Sequence, residues 1–303
     1  MATDIILGNA GVVAPGRFRR VRALAWMCAL AIICVASFNL AADATLHIAA
    51  AISGVEFTSR AAAPTSARLA AVIVASIAML GLYQLAVQLG ERRSVPELGL
   101  RALPAELAGG VVIGVLLMAS IIGTMWAAQW VEIASTPVTA VSESLKLSIQ
   151  SGVLEEVLIR LVIFRMLWRV GGVWPALVVT AALFGALHLT NPDATGFAAL
   201  CLVAGEGIGG GLYLLTGRIW ASIGMHAGWN FAQGWLFGSA VSGIAVASGG
   251  PLRTQPAESV EVMLSGGGFG PESSLAALGV SLLASALFLT IAWQRGRFGA
   301  ADA

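Results

Sequence analysis

Apolar residues fall in eight runs close to the length of a membrane crossing: about 23–42, 69–90, 106–131, 145–167, 173–190, 196–215, 219–238 and 274–293. A hydrocarbon core about 30 Å thick takes roughly 20 helical residues, so each run predicts one spanning helix. The longest connection, residues 239–273, is rich in Gly, Ser and Pro and contains Gly266-Gly267-Gly268, which predicts a flexible external loop or a partly re-entrant segment. The fourth run is interrupted at its middle by Glu155, Glu156 and Arg160. An ionisable group there costs roughly 2.5–3.5 kcal/mol, and three left unpaired would cost on the order of 7–10 kcal/mol. Something must compensate, and chemistry inside the membrane is the leading candidate.

Composition supports lipid as the solvent. The chain is 58% hydrophobic and 11% charged, with a mean hydropathy of +0.87, where a soluble domain carries about a quarter charged residues. The expected fold class is therefore all-α: a polytopic membrane protein of about eight transmembrane helices around a polar cavity. No hydrophilic stretch is long enough for a separate globular domain, so residues 1–303 are expected to form a single membrane domain. Cys28, Cys34 and Cys201 lie in apolar runs without CxxC spacing and read as small core residues, not as disulfides or metal ligands.

The arginine distribution sets the orientation. With a cytoplasmic N-terminus, the inside segments hold twelve basic residues (Arg17, Arg19, Arg20, Arg22, Arg92, Arg93, Arg101, Arg165, Arg169, Arg218, Arg295 and Arg297) against four outside (Arg60, Arg68, Lys146 and Arg253). This predicts both termini in the cytoplasm, and reads as topology and not as affinity for nucleic acid. The first run follows an arginine cluster and ends near Ala41, Ala42 and Ala44, as a cleaved signal peptide would, but its apolar core favours a permanent helix.

Within the fourth run, Glu156 and Arg160 are four residues apart and share a helical face, while Glu155 is turned by about 100° and can look elsewhere. Pairing Glu156 with Arg160 offsets their desolvation and leaves Glu155 free to face a cavity as a general base. The plain alternative is an ion-paired packing trio without chemistry. His188 follows Phe184 by four residues in the fifth run, and His226 precedes Asn230 by four in the seventh, so both pairs can point at one interior site. His47, at the outer end of the first run, reads as a solvated surface residue. Gly205 with Gly209 and Gly207 with Gly211 read as close helix packing, Glu206 among them is a further costly charge that could line the cavity but has no assigned role, and Trp229 could wall the site. Trp126, Trp130, Trp168, Trp220, Trp235 and Trp293 lie toward span ends, as interfacial anchors do.

These residues resemble a known family. Glu155-Glu156-Val157-Leu158-Ile159-Arg160 matches an EExxxR motif, Phe184-Gly185-Ala186-Leu187-His188 matches FxxxH, and His226-Ala227-Gly228-Trp229-Asn230 matches HxxxN. The ordered set, with the Thr216-Gly217-Arg218 turn before Ile219-Trp220, resembles the CPBP intramembrane proteases over about residues 140–240. That family includes the CAAX prenyl endopeptidases and the bacterial bacteriocin-processing and self-immunity proteins termed Abi. The resemblance implies an eight-helix membrane endopeptidase. In it, Glu155 and His188 activate water, His226 and Asn230 bind the oxyanion, and Glu156 with Arg160 supports the first motif.

No cofactor is expected. Two histidines and a glutamate could supply a catalytic zinc, but HExxH is absent and Glu155, His188 and His226 come from different helices, so the metal-free reading is preferred while zinc stays open. The expected partners are a peptide or membrane-protein substrate and the lipid bilayer; oligomeric state is not legible. Short loops and an Ala-, Gly- and Arg-rich composition point to a bacterial cytoplasmic membrane and to unprenylated substrates. Two other readings remain: a non-catalytic immunity or scaffold protein of the same fold, and a proton- or ion-coupled transporter, for which no inverted repeat is apparent.

Overall fold

The structure is a computed structural model that describes residues 3–139, 141–245 and 249–299. In hydrocarbon the backbone must satisfy its own hydrogen bonds, and the apolar runs accordingly fold as helices. They are α1 (Arg19–Ser53), α2 (Thr65–Gly90), α3 (Leu103–Ala127), α4 (Ser142–Glu156), α5 (Arg165–Gly171), α6 (Val173–Leu187), α7 (Gly196–Thr216), α8 (Trp220–Phe231), the single turn α9 (Val262–Ser265) and α10 (Leu275–Gln294). A π-helical segment, Val157–Phe164, joins α4 to α5 without a break in helical backbone angles, and a second, Ala232–Leu236, extends α8.

The chain is a polytopic, mostly helical membrane protein. Among the described residues, six helical stretches are long and apolar enough to cross a bilayer: Arg19–Ser53, Thr65–Gly90, Pro96–Ala127, Val173–Thr190, Gly196–Thr216 and Leu275–Gln294. The other two expected runs, 145–167 and 219–238, are occupied by α4–α5 and by α8. These two carry the glutamate pair and the His226/Asn230 pair, and both contain the wider π turns.

Small residues set the tightest packing. A Cβ on Gly110 or Gly114 of α3 would overlap the Ala221 or Met225 carbonyl of α8, and one on Gly224 or Gly228 would overlap Leu107 or Val111 in return. This reciprocal contact of two small-xxx-small pairs brings the backbones of α3 and α8 together and fixes the helix that carries His226. The glycines expected to pack on α7 divide their work. Gly207 and Gly211 face Ser285 and Phe288 of α10, whereas Gly209 faces the Arg160 guanidinium.

Several expectations are corrected. The first helix continues eleven residues past 42 to Ser53, so the exposed His47 lies within it. Two strands not foreseen, β1 (Val131–Ser135) and β2 (Leu252–Pro256), pair antiparallel from Val131 opposite Pro256 to Ser135 opposite Leu252. That ribbon ties the described part of the long connection to the end of α3, and Phe269, Pro271 and Glu272 beyond it are buried. Trp168 and Trp220 are buried, not interfacial: Trp168 packs edge-on against Phe164, and the Trp220 indole donates to the Gly99 carbonyl at 3.0 Å. Cys34 and Cys201 are buried, but Cys28 is exposed on the outside of α1, where an apolar environment would suit it equally.

The first and last described segments meet on one face of the bundle. Arg297 pairs with Asp4 at 2.8 Å and donates to the Thr3 carbonyl, while the Thr3 amide donates to Thr216 at the end of α7. The same face holds a buried ionic knot. The Glu91 carboxylate, between α2 and α3, accepts two hydrogen bonds from Arg165 at 2.6 Å each, one from Arg93 at 2.8 Å and one from Trp26 at 2.8 Å. Burial pushes the Glu91 carboxyl up, but the Arg165 and Arg93 guanidinium groups prevail and hold it at about 2.

Candidate active site

The glutamate pair sits at the last two positions of α4, where the helix passes into the π segment. Consecutive helical positions diverge by about 100°, and the two side chains take different company. Glu156 is buried and accepts from Arg160 Nε at 2.9 Å on one oxygen and meets His226 Nδ1 at 3.0 Å on the other. Arg160, also buried, spans from Glu156 to Glu206 of α7, with Gly209 leaving room for its guanidinium. Three buried charges that would each be costly alone thus share hydrogen bonds.

Glu155 turns into a cavity of about 850 Å³, counted to its open mouth. Its Oε2 is covered and makes no hydrogen bond among the described residues. It lies 4.0 Å from His188 Nε2 and 3.8 Å from His226 Nε2. A covered carboxylate oxygen facing two imidazole nitrogens, with no donor of its own, is poised for a polar ligand.

Local geometry fixes one imidazole. His188 Nδ1 is 2.8 Å from the Phe184 carbonyl oxygen, which can only accept. Nδ1 must therefore carry a proton, and Nε2 of the neutral ring presents its lone pair to the cavity beside Glu155. The Phe184 ring packs 4.6 Å from the His188 ring and 6.1 Å, edge-on, from that of His226. For His226, Nδ1 donates to Glu156; Nε2 can donate as well only when the ring carries both protons, and Glu156 is the counter-ion facing that state. Asn230, one turn on, lines the same cavity, and its Nδ2 donates to Ser151 Oγ at 2.7 Å.

All seven residues singled out from the sequence, Glu155, Glu156, Arg160, Phe184, His188, His226 and Asn230, line this one cavity. Trp229 walls it too. Glu206, singled out from the sequence as a costly charge without a role, lines the cavity as well and shares Arg160, a partner the sequence did not show. The structure adds residues that sequence reasoning missed. Ser151, one turn before Glu155, orients Asn230, and a lone serine gives no signal. Glu272 is buried at the far end of the long connection. Its Oε1 accepts from the Ser242 amide at 2.6 Å and hydroxyl at 2.8 Å, and its Oε2 from the Trp229 indole at 3.2 Å. It therefore ties the two ends of the long connection to each other and to Trp229 at the edge of the cavity, which no local pattern in 239–273 announces. Among the described residues, no group of three or more His, Cys, Asp or Glu side chains is arranged to hold a metal ion.

Fold and site together define a helical membrane protein with a glutamate–histidine centre in a cavity between its helices. Residues 137–232 match the protein-family model described as type II CAAX prenyl endopeptidase Rce1-like. The family is a protease family, in agreement with the resemblance carried by the three motifs. No curated protein and no solved structure gives a significant match.

Proposed function

We propose that the protein is an intramembrane endopeptidase that hydrolyses peptide bonds with a water activated by Glu155 and His188. The observation that carries this reading is the covered, unbonded Oε2 of Glu155 in the cavity, beside the lone pair of His188 Nε2. A water held between two acceptors gives one proton to Glu155 as its oxygen attacks the scissile carbonyl, and His188 accepts from its second hydrogen and keeps it aligned. The new C–O bond turns the carbonyl oxygen into an oxyanion. His226 Nε2–H and an Asn230 amide N–H are the donors that meet this charge, and the Glu156–Arg160–Glu206 group holds His226 in place. Collapse of the tetrahedral species breaks the C–N bond, with the proton on Glu155 passing to the leaving amine.

The Rce1-like match supports this chemistry, as does the placement of every donor and acceptor on packed helices. A proton-coupled transporter would also use buried Glu, His and Arg, but an acceptor pair opposed to a donor pair suits hydrolysis better than ion passage. The protein is further proposed to lie in a bacterial cytoplasmic membrane with both termini inside. The test is a reconstituted assay on tagged membrane peptides with Glu155→Gln and His188→Ala. Both variants are expected to insert and fold as the wild type does and to lose cleavage; turnover near the wild-type rate in either purified variant would refute the mechanism.

A further inference from the structure

We infer that the cavity opens on the non-cytoplasmic face, and that its substrate is the extracytoplasmic, juxtamembrane part of a membrane-anchored peptide. This rests on the endopeptidase reading above.

The helix directions place the mouth. Thr3 and Arg297 mark the face that holds the termini. α6 runs away from that face, and His188 is the first residue beyond its last turn, with Asn191 three residues further on. Ser242, Ile244 and Glu272, which complete the rim, belong to the connection between α8 and α10 on the same far face. The floor is deeper along the helices. Arg160 lies past Glu156 on the helix descending from Ser142, and Ile208 lies about 18 Å below the start of α7 at 1.5 Å rise per residue. The next turns toward the termini carry Leu161, Phe164, Arg165 and Leu214, each with 0% exposure. Below them Arg165 is locked to Glu91. The site is thus open on the far face and plugged on the near one.

Charge names the faces. The segments on the plugged side carry twelve basic residues, Arg165 among them buried, and those on the open side four, the bias by which short cytoplasmic segments are recognised. The cavity therefore looks away from the cytoplasm. Its surroundings also suit a chain emerging from lipid: Ile244 on the rim is 46% exposed, and Leu189 and Leu200, next in sequence to the cavity-lining His188 and Cys201, are 51% and 50% exposed. A peptide leaving the outer leaflet can lay apolar residues along these side chains while its first polar peptide bonds reach Glu155. A lipidated C-terminus lying on the cytoplasmic surface would face the plug, and is excluded as a substrate from that side.

The experiment has two readouts. First, Thr58→Cys, Asn191→Cys, Ile244→Cys and Arg295→Cys are treated with a membrane-impermeant maleimide in intact bacteria and after permeabilisation, with the unsubstituted protein as the background for its own three cysteines. Labelling of Thr58→Cys, Asn191→Cys and Ile244→Cys in intact cells to about the permeabilised level is expected, with Arg295→Cys labelled only after permeabilisation. Ile244→Cys, whose side chain makes no hydrogen bond, decides the matter if Asn191→Cys fails to fold; labelling of Ile244→Cys only after permeabilisation overturns the inference. Second, two single-span reporters carry the same test segment just outside or just inside the membrane. The wild type is expected to cut the outer one and Glu155→Gln neither. Cleavage of the inner reporter alone overturns the assigned face while sparing the endopeptidase reading. Cleavage of neither, with labelling as expected, overturns the endopeptidase reading and the substrate class with it, while the orientation of the cavity stands on the labelling alone.

Discussion

Replacing Arg160 by alanine should destabilise the protein severely, and the structure sets the size of the effect. Arg160 is 2% exposed and is the only cation that both Glu156, at 2.9 Å, and Glu206 contact among the described residues. Removing one partner of a buried pair typically costs about 3–5 kcal/mol, because the other charge is left without compensation. Here two carboxylates lose the same cation. The terms share that group and will not simply add, so a loss of about 4–6 kcal/mol is expected, part of it from the space left beside Gly209. At about 2–4 °C per kcal/mol for a chain of this size class, the melting temperature should fall by roughly 10–20 °C. Cys34 and Cys201 have 0% and 2% exposure and report unfolding through a fluorogenic thiol dye, while the exposed Cys28 sets the starting signal. The triple variant Arg160→Met, Glu156→Gln, Glu206→Gln should regain much of the stability and none of the activity, since the charges are gone but His226 has lost its carboxylate. An Arg160→Ala protein that melts within about 2 °C of the wild type, yet is inactive, would refute the structural role and assign Arg160 to the chemistry.

Asn230→Ala should lower kcat by roughly 10²–10³ with little change in KM, the signature of a donor used only in the transition state; an effect confined to KM would move Asn230 to substrate binding. Gly114→Val should separate α3 from α8, because even a Cβ there overlaps the Met225 carbonyl; thermal unfolding and cleavage should suffer together, and a variant as stable as the wild type would refute the packing argument. Glu91 titrates at about 2 in the folded protein against an ordinary 4.5. Its contribution is present above about 4.5 and lost as pH falls toward 2. Thermal melts in detergent should decline across that window, less steeply in Glu91→Gln, and identical slopes would show that the knot carries none of the acid sensitivity.

The relation between chain and structure differs from element to element. The long apolar runs were legible because membrane helices are specified by length and hydropathy alone, and the runs at 69–90, 196–215 and 274–293 nearly coincide with α2, α7 and α10. The run at 106–131 stops early, at Ala127, because Trp130 and the residues after it are drawn into the β1–β2 ribbon, whose second strand lies more than a hundred residues on. Such pairing has no local signature. The two π segments were equally silent, although each adjoins a motif, since a π turn follows from how side chains must be aimed and not from propensity.

By itself the sequence determined that this chain lives in lipid, that charge in its fourth run needed compensation, and that Glu156 could pair with Arg160 while Glu155 looked elsewhere. Each follows from composition or from the 3.6-residue period, and each is local. Only the tertiary structure decided that Glu206 shares Arg160, that Ser151 turns Asn230, and that Glu272 ties the long connection to the edge of the cavity. Those facts depend on which helices neighbour one another. In this bundle that is set by the matching of small residues, Gly110 and Gly114 against Gly224 and Gly228, across segments about a hundred residues apart.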